Sequence, residues 1–301
     1  MHKMPPDMLE DTPLIVIAGA TASGKSALAL ELAEAFNGEI VSIDSMQLYR
    51  DLPIGTAQPS AAEQQQIPHH LVGIYELAER AEVYTFVDLA EQAIRQIIQR
   101  GRTPVLCGGT GLYLRSLLYG LDQLPGDENL KSRLDRQYDS PEMLEELKAH
   151  LIRLGDRPVV EKFGNNRRRL IRALEIRMLT GQSILELQCQ LQLHLRYKLH
   201  EKAFRLEHDR QVLQQRIANR TRQMLKAGWI EEAEAAIANG LLESPTAHQA
   251  LGYKLIKRYL DGEFSLDRLE ELIVTATWQY ARRQQTWFRH QHPELQVKAL
   301  S

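Results

Sequence analysis

The chain has 301 residues, 44% of them hydrophobic and 25% charged, with a formal net charge of −2. This is the composition of a globular protein with room for one large domain or a core plus an accessory one, and it is too neutral for a protein that coats nucleic acid wholesale. No apolar run approaches the roughly 18 residues that a bilayer crossing takes, residues 1–13 carry Lys, Asp and Glu with no apolar h-region, and a cytoplasmic, non-membrane protein is expected. Two cysteines, Cys107 and Cys189, suggest neither a disulfide framework nor a zinc site.

In chain order, Leu14-Ile-Val-Ile-Ala18 reads as a buried strand that runs into Gly19-Ala-Thr-Ala-Ser-Gly-Lys-Ser26, with a helix following to about Phe36. The pattern G-x-x-x-x-G-K-[ST] between a strand and a helix is a phosphate-binding loop, the motif of many nucleotide and ATP sites. Gly19, Ala20, Thr21, Ala22, Ser23 and Gly24 would curl their N–H groups around phosphate oxygens, and the helix would point its positive dipole end at them. Lys25 adds a point charge, and Ser26 offers a hydroxyl to a phosphate-bound Mg²⁺. Glu39–Ile43 is a second strand, Phe86–Gln99 a helix closed by Gly101, and Thr103–Cys107 a third strand. This alternation predicts an α/β fold, a parallel sheet flanked by helices, with ligands beyond the carboxyl ends of the strands.

From about Asp122 the texture becomes charged and helical, with Leu124-Pro-Gly-Asp127 as a linker and no strand-like run. The expected organisation is a phosphate-loop core made of residues 1–122 and 200–301, interrupted by an all-helical insertion at 123–199. Helices are predicted at His208–Lys226, Trp229–Asn239, Ala247–Leu260 and Leu266–His290, the last with Ser265 as N-cap.

Asp44 ends the second strand across the crevice from the loop. It suits a general base equally with an outer Mg²⁺ partner or a turn-forming Asp. The third strand runs into Gly108-Gly-Thr110 without the acid that phosphate-loop hydrolases place there, which argues against nucleotide hydrolysis. Gly108 and Gly109 would let backbone approach a ligand, with Thr110 as a hydroxyl donor or a helix cap. Arg216 and Arg220, four apart on one helix, can converge on one anion or form surface ion pairs.

Two basic clusters stand out. Lys162 to Arg177 holds six Lys or Arg against one Glu, with Arg168, Arg169 and Arg172 crowded on a helix beside Leu170 and Ile171. Arg282, Arg283, Arg289 and His290 are interleaved with Trp278, Tyr280, Trp287 and Phe288, a mixture that can hold phosphates and stack on unpaired bases. His69-His70 has no partners at metal-ligand spacing.

Taken together, these motifs resemble the tRNA dimethylallyltransferase, or IPP transferase, family. The matching pieces are the phosphate loop, Ser42-Ile-Asp-Ser-Met-Gln-Leu-Tyr49, Asp51-Leu-Pro-Ile-Gly-Thr-Ala57, Pro68-His-His-Leu71, Gly108-Gly-Thr-Gly-Leu-Tyr-Leu114, Arg168-Arg-Leu-Ile-Arg-Ala-Leu-Glu175, Ala250-Leu-Gly-Tyr-Lys254 and Tyr280-Ala-Arg-Arg-Gln-Gln-Thr-Trp-Phe-Arg289. The resemblance implies Mg²⁺-assisted transfer of a dimethylallyl group from dimethylallyl diphosphate to the exocyclic amine of the adenosine 3′ to the anticodon. It further implies that residues Gly19 to Ser26, with Arg216, hold the diphosphate and that Asp44 is the base. Thr110 would orient the reactants and Arg220 would neutralise the leaving group. The tRNA anticodon stem-loop would meet Ser45, Met46, Gln47, Lys131, Arg168, Arg169, Leu170, Ile171, Arg172, Gly252, Tyr253, Lys254 and Arg283, and a monomer is expected. Ala20, Gly73 and Lys131 depart from the family pattern, which more often has Pro, Asp and Arg there.

Overall fold

The computed structural model describes residues 12–120, 124–190 and 194–299. The chain divides into two compact units, one that runs to Gly120 and resumes at Leu195, and one formed by the segment between.

The larger unit is built on a six-stranded sheet in the order β3-β2-β4-β1-β5-β6, parallel throughout. Its strands are β1 Ile15–Gly19, β2 Gly38–Ser42, β3 His69–His70, β4 Thr103–Gly108, β5 Phe204–Glu207 and β6 Gln296–Ala299. The central strand β1 is buried on both faces, which is why its sequence is a continuous apolar run rather than an alternation. Ile15 and Ile17 pack on one side with Ala29 and Ala33 of helix α1, Lys25–Ala35. Val16 and Ala18 join Leu106, Phe86, Ala90 and Ile94 in the core cluster on the other. Each such Ile or Val, once buried, contributes roughly 1.5–3 kcal/mol.

Helices α2 (Ala61–Gln66), α3 (Val83–Gln99) and α4 (Gly111–Tyr119) connect the N-terminal strands. In α3, Phe86, Ala90, Ile94 and Ile97 form the buried stripe, and Gly101 at φ +68° follows its end. Three strands depart from the expectation of helix or loop. The two-residue β3 is too short to show a period. Strand β5 has four residues, and β6 lies at the sheet edge with Val297 55% exposed, so neither carries a continuous apolar run.

The smaller unit holds α5 Glu128–Gln137, α6 Glu142–Arg153, α7 Arg157–Phe163, α8 Arg167–Thr180 and α9 Ile184–Gln190. Among the described residues it has no strand. Asp127 caps α5 by accepting from the amides of Asn129 and Leu130, and Asn166 caps α8 by accepting from Arg169. Leu134, Tyr138, Leu147, Val159, Leu170 and Leu174 form its core.

The larger unit continues with α10 Arg210–Lys226, α11 Trp229–Ala238, α12 Tyr253–Leu260 and the 26-residue α13 Leu266–Gln291. Ser265 caps α13 by accepting from the Arg268 amide. The helix expected over Ala247–Leu260 is instead a short 3-10 turn, Ala247–Gln249, followed by α12. Gly252 separates them at φ +97°, where a Cβ would stand 2.4 Å from the Trp229 ring.

Candidate active site

The carboxyl ends of β1, β2 and β4 meet helices α10 and α13 around a cavity of about 440 Å³, with Lys25, Asp44, Gly108, Arg220 and Tyr280 in its lining. A second space of about 350 Å³ lies over the phosphate loop, between Gly24–Ser26 and Arg216, Asn219, Arg220 and Gln223 of α10. Lys25, Ser26 and Arg220 border both, so one cation pair is shared by the two spaces.

The loop is shaped by two left-handed residues, Ala22 at φ +61° and Gly24 at φ +86°. Gly24 caps α1 with no side-chain hydrogen bond, leaving the first helical amides for an anion. The Ala22 carbonyl accepts from Arg216 Nε at 2.8 Å, and the Ala20 carbonyl accepts from Lys25 Nζ at 3.2 Å. Burial lowers the pKa of Lys25 and, more weakly opposed by Asp44, that of the Arg220 guanidinium. Both are cations held out of water, a setting that favours an anionic ligand. Burial also pushes the Cys107 thiol up to about 11, so it stays protonated beside them.

Asp44 follows β2. Its Oδ1 accepts from the Met46 amide at 3.0 Å, an Asx turn that fixes the carboxylate's orientation. The Ser45 amide donates to Thr110 Oγ1 at 3.1 Å, and the Thr110 amide donates to the Ile43 carbonyl at 3.1 Å. Thr110 thus ties the Asp44 turn to β4. Although it sits at the N-cap position of α4, its side chain makes no cap bond. Arg283 stacks over Tyr280, 5.8 Å from the ring centroid, at the cavity wall.

Several expected roles change. Gly108 and Gly109 also make room for protein: a Cβ would stand 2.1 Å from the Ile43 carbonyl oxygen at one and 2.4 Å from Gln284 Nε2 at the other, although Gly108 still lines the cavity. The amides of Thr21 and Ser23 are not free for phosphate, since they donate to Gln284 Oε1 at 2.9 Å and to Ala20 at 3.2 Å. Gln47 lines the cavity but spends both amide hydrogens on the carbonyls of Thr56 and Ala57 and accepts from Ser42, so its side chain braces a loop. Leu170 and Ile171 are core residues of the smaller unit, and Arg172 is tied to Glu175 at 2.8 Å and to the Leu124 carbonyl. Arg168, Arg169, Lys254 and Arg283 remain exposed, whereas Lys131 pairs with Glu128 at 3.2 Å. Tyr253 is buried against Trp229 with its hydroxyl on Glu232, and Phe288 is core.

Three structural residues escape a sequence reading. Gln284 is a buried polar residue on α13. His208 Nε2 lies 2.7 Å from the Ser23 carbonyl, and Glu232 accepts from the amides of Ile54 and Gly55 at 2.6 and 2.8 Å. Nothing in their local spacing announces these partners, which lie roughly 180 positions away or more.

Among the described residues no three His, Cys, Asp or Glu side chains gather at metal-binding distance. Ser26 at the loop fits an ion that brings most of its ligands with it, as Mg²⁺ does with diphosphate oxygens and water. No helix among the described residues is long and apolar enough to cross a membrane.

A parallel sheet, a phosphate-loop motif and a cavity bordered by Lys25, Arg220 and Asp44 define a phosphate-loop α/β protein. The IPP transferase family pattern matches residues 47–291 and the isopentenyl transferase pattern residues 12–78. A tRNA dimethylallyltransferase of Exiguobacterium is 41% identical over 291 residues, covering 96% of this chain and 91% of its own length. One from Kocuria rhizophila is 40% identical, covering 93% and 88%. Among solved structures, a tRNA isopentenylpyrophosphate transferase from Bacillus halodurans is 35% identical with a TM-score of 0.69, covering 96% of this chain and 90% of its own. A eukaryotic dimethylallyltransferase acting on tRNA reaches 0.78 at 28% identity, covering 96% and 74%. The chain belongs to the tRNA dimethylallyltransferase family.

Proposed function

We propose that the protein transfers a dimethylallyl group from dimethylallyl diphosphate to the exocyclic amine of the adenosine 3′ to the anticodon of tRNA, in the cytoplasm. The observation that carries this reading is the one cavity that Lys25, Arg220 and Asp44 border together. An allylic diphosphate needs negative charge stabilised on its leaving group and an amine brought into line. The helix-start amides, Lys25, Arg216 and Arg220 supply the first requirement. The Asp44 turn, held by Thr110, supplies the second.

The amine nitrogen forms a bond to the allylic carbon while the carbon–oxygen bond breaks, and diphosphate leaves with the electron pair. Asp44 accepts the amine proton. Bound with the diphosphate, Mg²⁺ would neutralise part of its charge, with Ser26 as its protein ligand. A stacked base cannot enter, so the adenosine is flipped in, at a cost of roughly a few kcal/mol. The exposed Arg168 and Arg169 of the helical unit would hold the tRNA backbone.

Nucleoside analysis of unmodified tRNA after incubation with labelled dimethylallyl diphosphate tests the reaction, and labelled ATP controls for a kinase. Label in dimethylallyl-adenosine supports it; phosphorylation from ATP without prenylation refutes it. Asp44→Asn should retain tRNA binding and lose roughly 10²–10⁴ in turnover.

A further inference from the structure

Gln284, on α13, is only 6% exposed, yet both ends of its amide are satisfied by distant backbone. Its Oε1 accepts from the Thr21 amide at 2.9 Å, and its Nε2 donates to the Gly109 carbonyl at 2.8 Å. These partners fix the amide's orientation, because only the oxygen accepts from an N–H and only the nitrogen donates to a carbonyl. The absence of a side chain at Gly109 is what admits the group, since a Cβ there would overlap Nε2. One side chain therefore joins the phosphate loop to the segment that carries Thr110. Thr110 Oγ1 in turn receives the Ser45 amide, next to Asp44.

We infer that Gln284 is a positioning residue that sets the separation between the leaving-group cradle and the base. It touches two loops at once, one expected to hold the electrophile and one tied to the proton acceptor. It also withdraws the Thr21 amide from anion binding, so the loop holds a diphosphate with fewer N–H groups than its sequence offers. A displacement of about 1 Å between reacting groups costs about 10²-fold in rate. Gln284 should therefore act on turnover rather than on the affinity of either substrate. The inference rests on the roles proposed above for Asp44 and the phosphate loop.

The test is steady-state and single-turnover kinetics of the full chain with dimethylallyl diphosphate and tRNA, for Gln284→Met, Gln284→Glu and Asp44→Asn. Gln284→Met keeps the volume and makes neither hydrogen bond; kcat should fall about 10- to 100-fold while both KM values stay within about threefold. Gln284→Glu keeps an acceptor for Thr21 but sets an oxygen against the Gly109 carbonyl, and its kcat should fall nearly as far. Parental kcat in Gln284→Met, or a raised KM with kcat unchanged, would overturn the inference. So would parental kcat in Gln284→Glu, since then only the phosphate loop is braced, and this variant decides the matter if Gln284→Met does not fold. Full turnover in Asp44→Asn would overturn the catalytic reading instead, whatever the Gln284 variants show.

Discussion

Lys25 donates from its ammonium to the carbonyl of Ala20, five positions back in the same loop. Burial holds its pKa below the ordinary value. The unfolded chain thus binds that proton more tightly, and stability rises with pH between the folded value and roughly 10.4, the value for a free lysine. At neutral pH the charged side chain is a cost to the ligand-free fold. Lys25→Met should therefore raise the Tm by about 1–4 °C while kcat/KM falls about 10²- to 10³-fold. Thermal melts without ligand check this, and a lower Tm in the variant would show that the cation stabilises the loop.

Glu232 accepts from the amides of Ile54 and Gly55 and from the Tyr253 hydroxyl, at 2.6, 2.8 and 2.7 Å. Gly55 and Thr56 line the cavity, so α11 anchors one of its walls. Glu232→Ala leaves these donors unpaired, at about 1–3 kcal/mol each. Hydrogen exchange at Ile54 and Gly55 should quicken by about 10-fold or more. Unchanged protection at these two amides would show that the wall is held by other contacts.

The basic cluster on α8 divides into two kinds of arginine. Arg168 and Arg169 are exposed, whereas Arg172 neutralises Glu175, which is 1% exposed and also receives the Asp127 amide. Arg168→Ala with Arg169→Ala should weaken tRNA binding and reduce the salt slope by about 1–2. Arg172→Ala should instead destabilise the helical unit by about 1–3 kcal/mol, because it strands a buried carboxylate. Filter-binding titrations against salt, beside thermal melts, separate the two; equal salt slopes for the paired variant and for Arg172→Ala would count against the division.

Glu39 sits at the start of β2, 3% exposed, with His70 Nε2 at 2.6 Å, Arg100 at 2.6 Å and Arg102 at 3.5 Å. Burial pushes its pKa up, but hydrogen bonds from Arg100 and His70 prevail and hold it below the ordinary value. A depressed carboxylate contributes stability above its unfolded pKa, roughly 4.3, and that stability is lost as pH falls through the folded value. Glu39→Gln should lower stability at neutral pH by about 1–3 kcal/mol and flatten the acid limb below about pH 4. Urea titrations from neutral to acid pH measure this. Parallel curves for the variant and the parent would remove Glu39 from the account.

The strands of the phosphate-loop half were legible because a central parallel strand must be apolar on both faces, as Ile15–Gly19 and Thr103–Gly108 are. Strands β5 and β6 were not, because four-residue strands toward an edge carry no continuous apolar run. Asp44, Lys25, Thr110 and Arg220 could be singled out because chemistry requires their residue types at strand and helix ends. Gln284 and Glu232 could not, because their partners are backbone groups, and a backbone N–H has the same signature whatever the residue. Leu170, Ile171 and Tyr253 show the opposite failure. Membership in a motif does not say whether a side chain faces a ligand or the core.

Strand β1 is paired on one side by β4 and on the other by β5, which follows the whole helical unit in the chain. A chain leaving the ribosome N-terminus first must therefore wait on the order of ten seconds, at about 5–20 residues per second, between making its most apolar strand and making the partner that covers its second edge. Throughout that interval Ile15–Gly19 has an open flank, the form in which strands recruit other chains. For this protein, one window of exposure to aggregation falls during synthesis, and for β1 it closes when Phe204–Glu207 emerges.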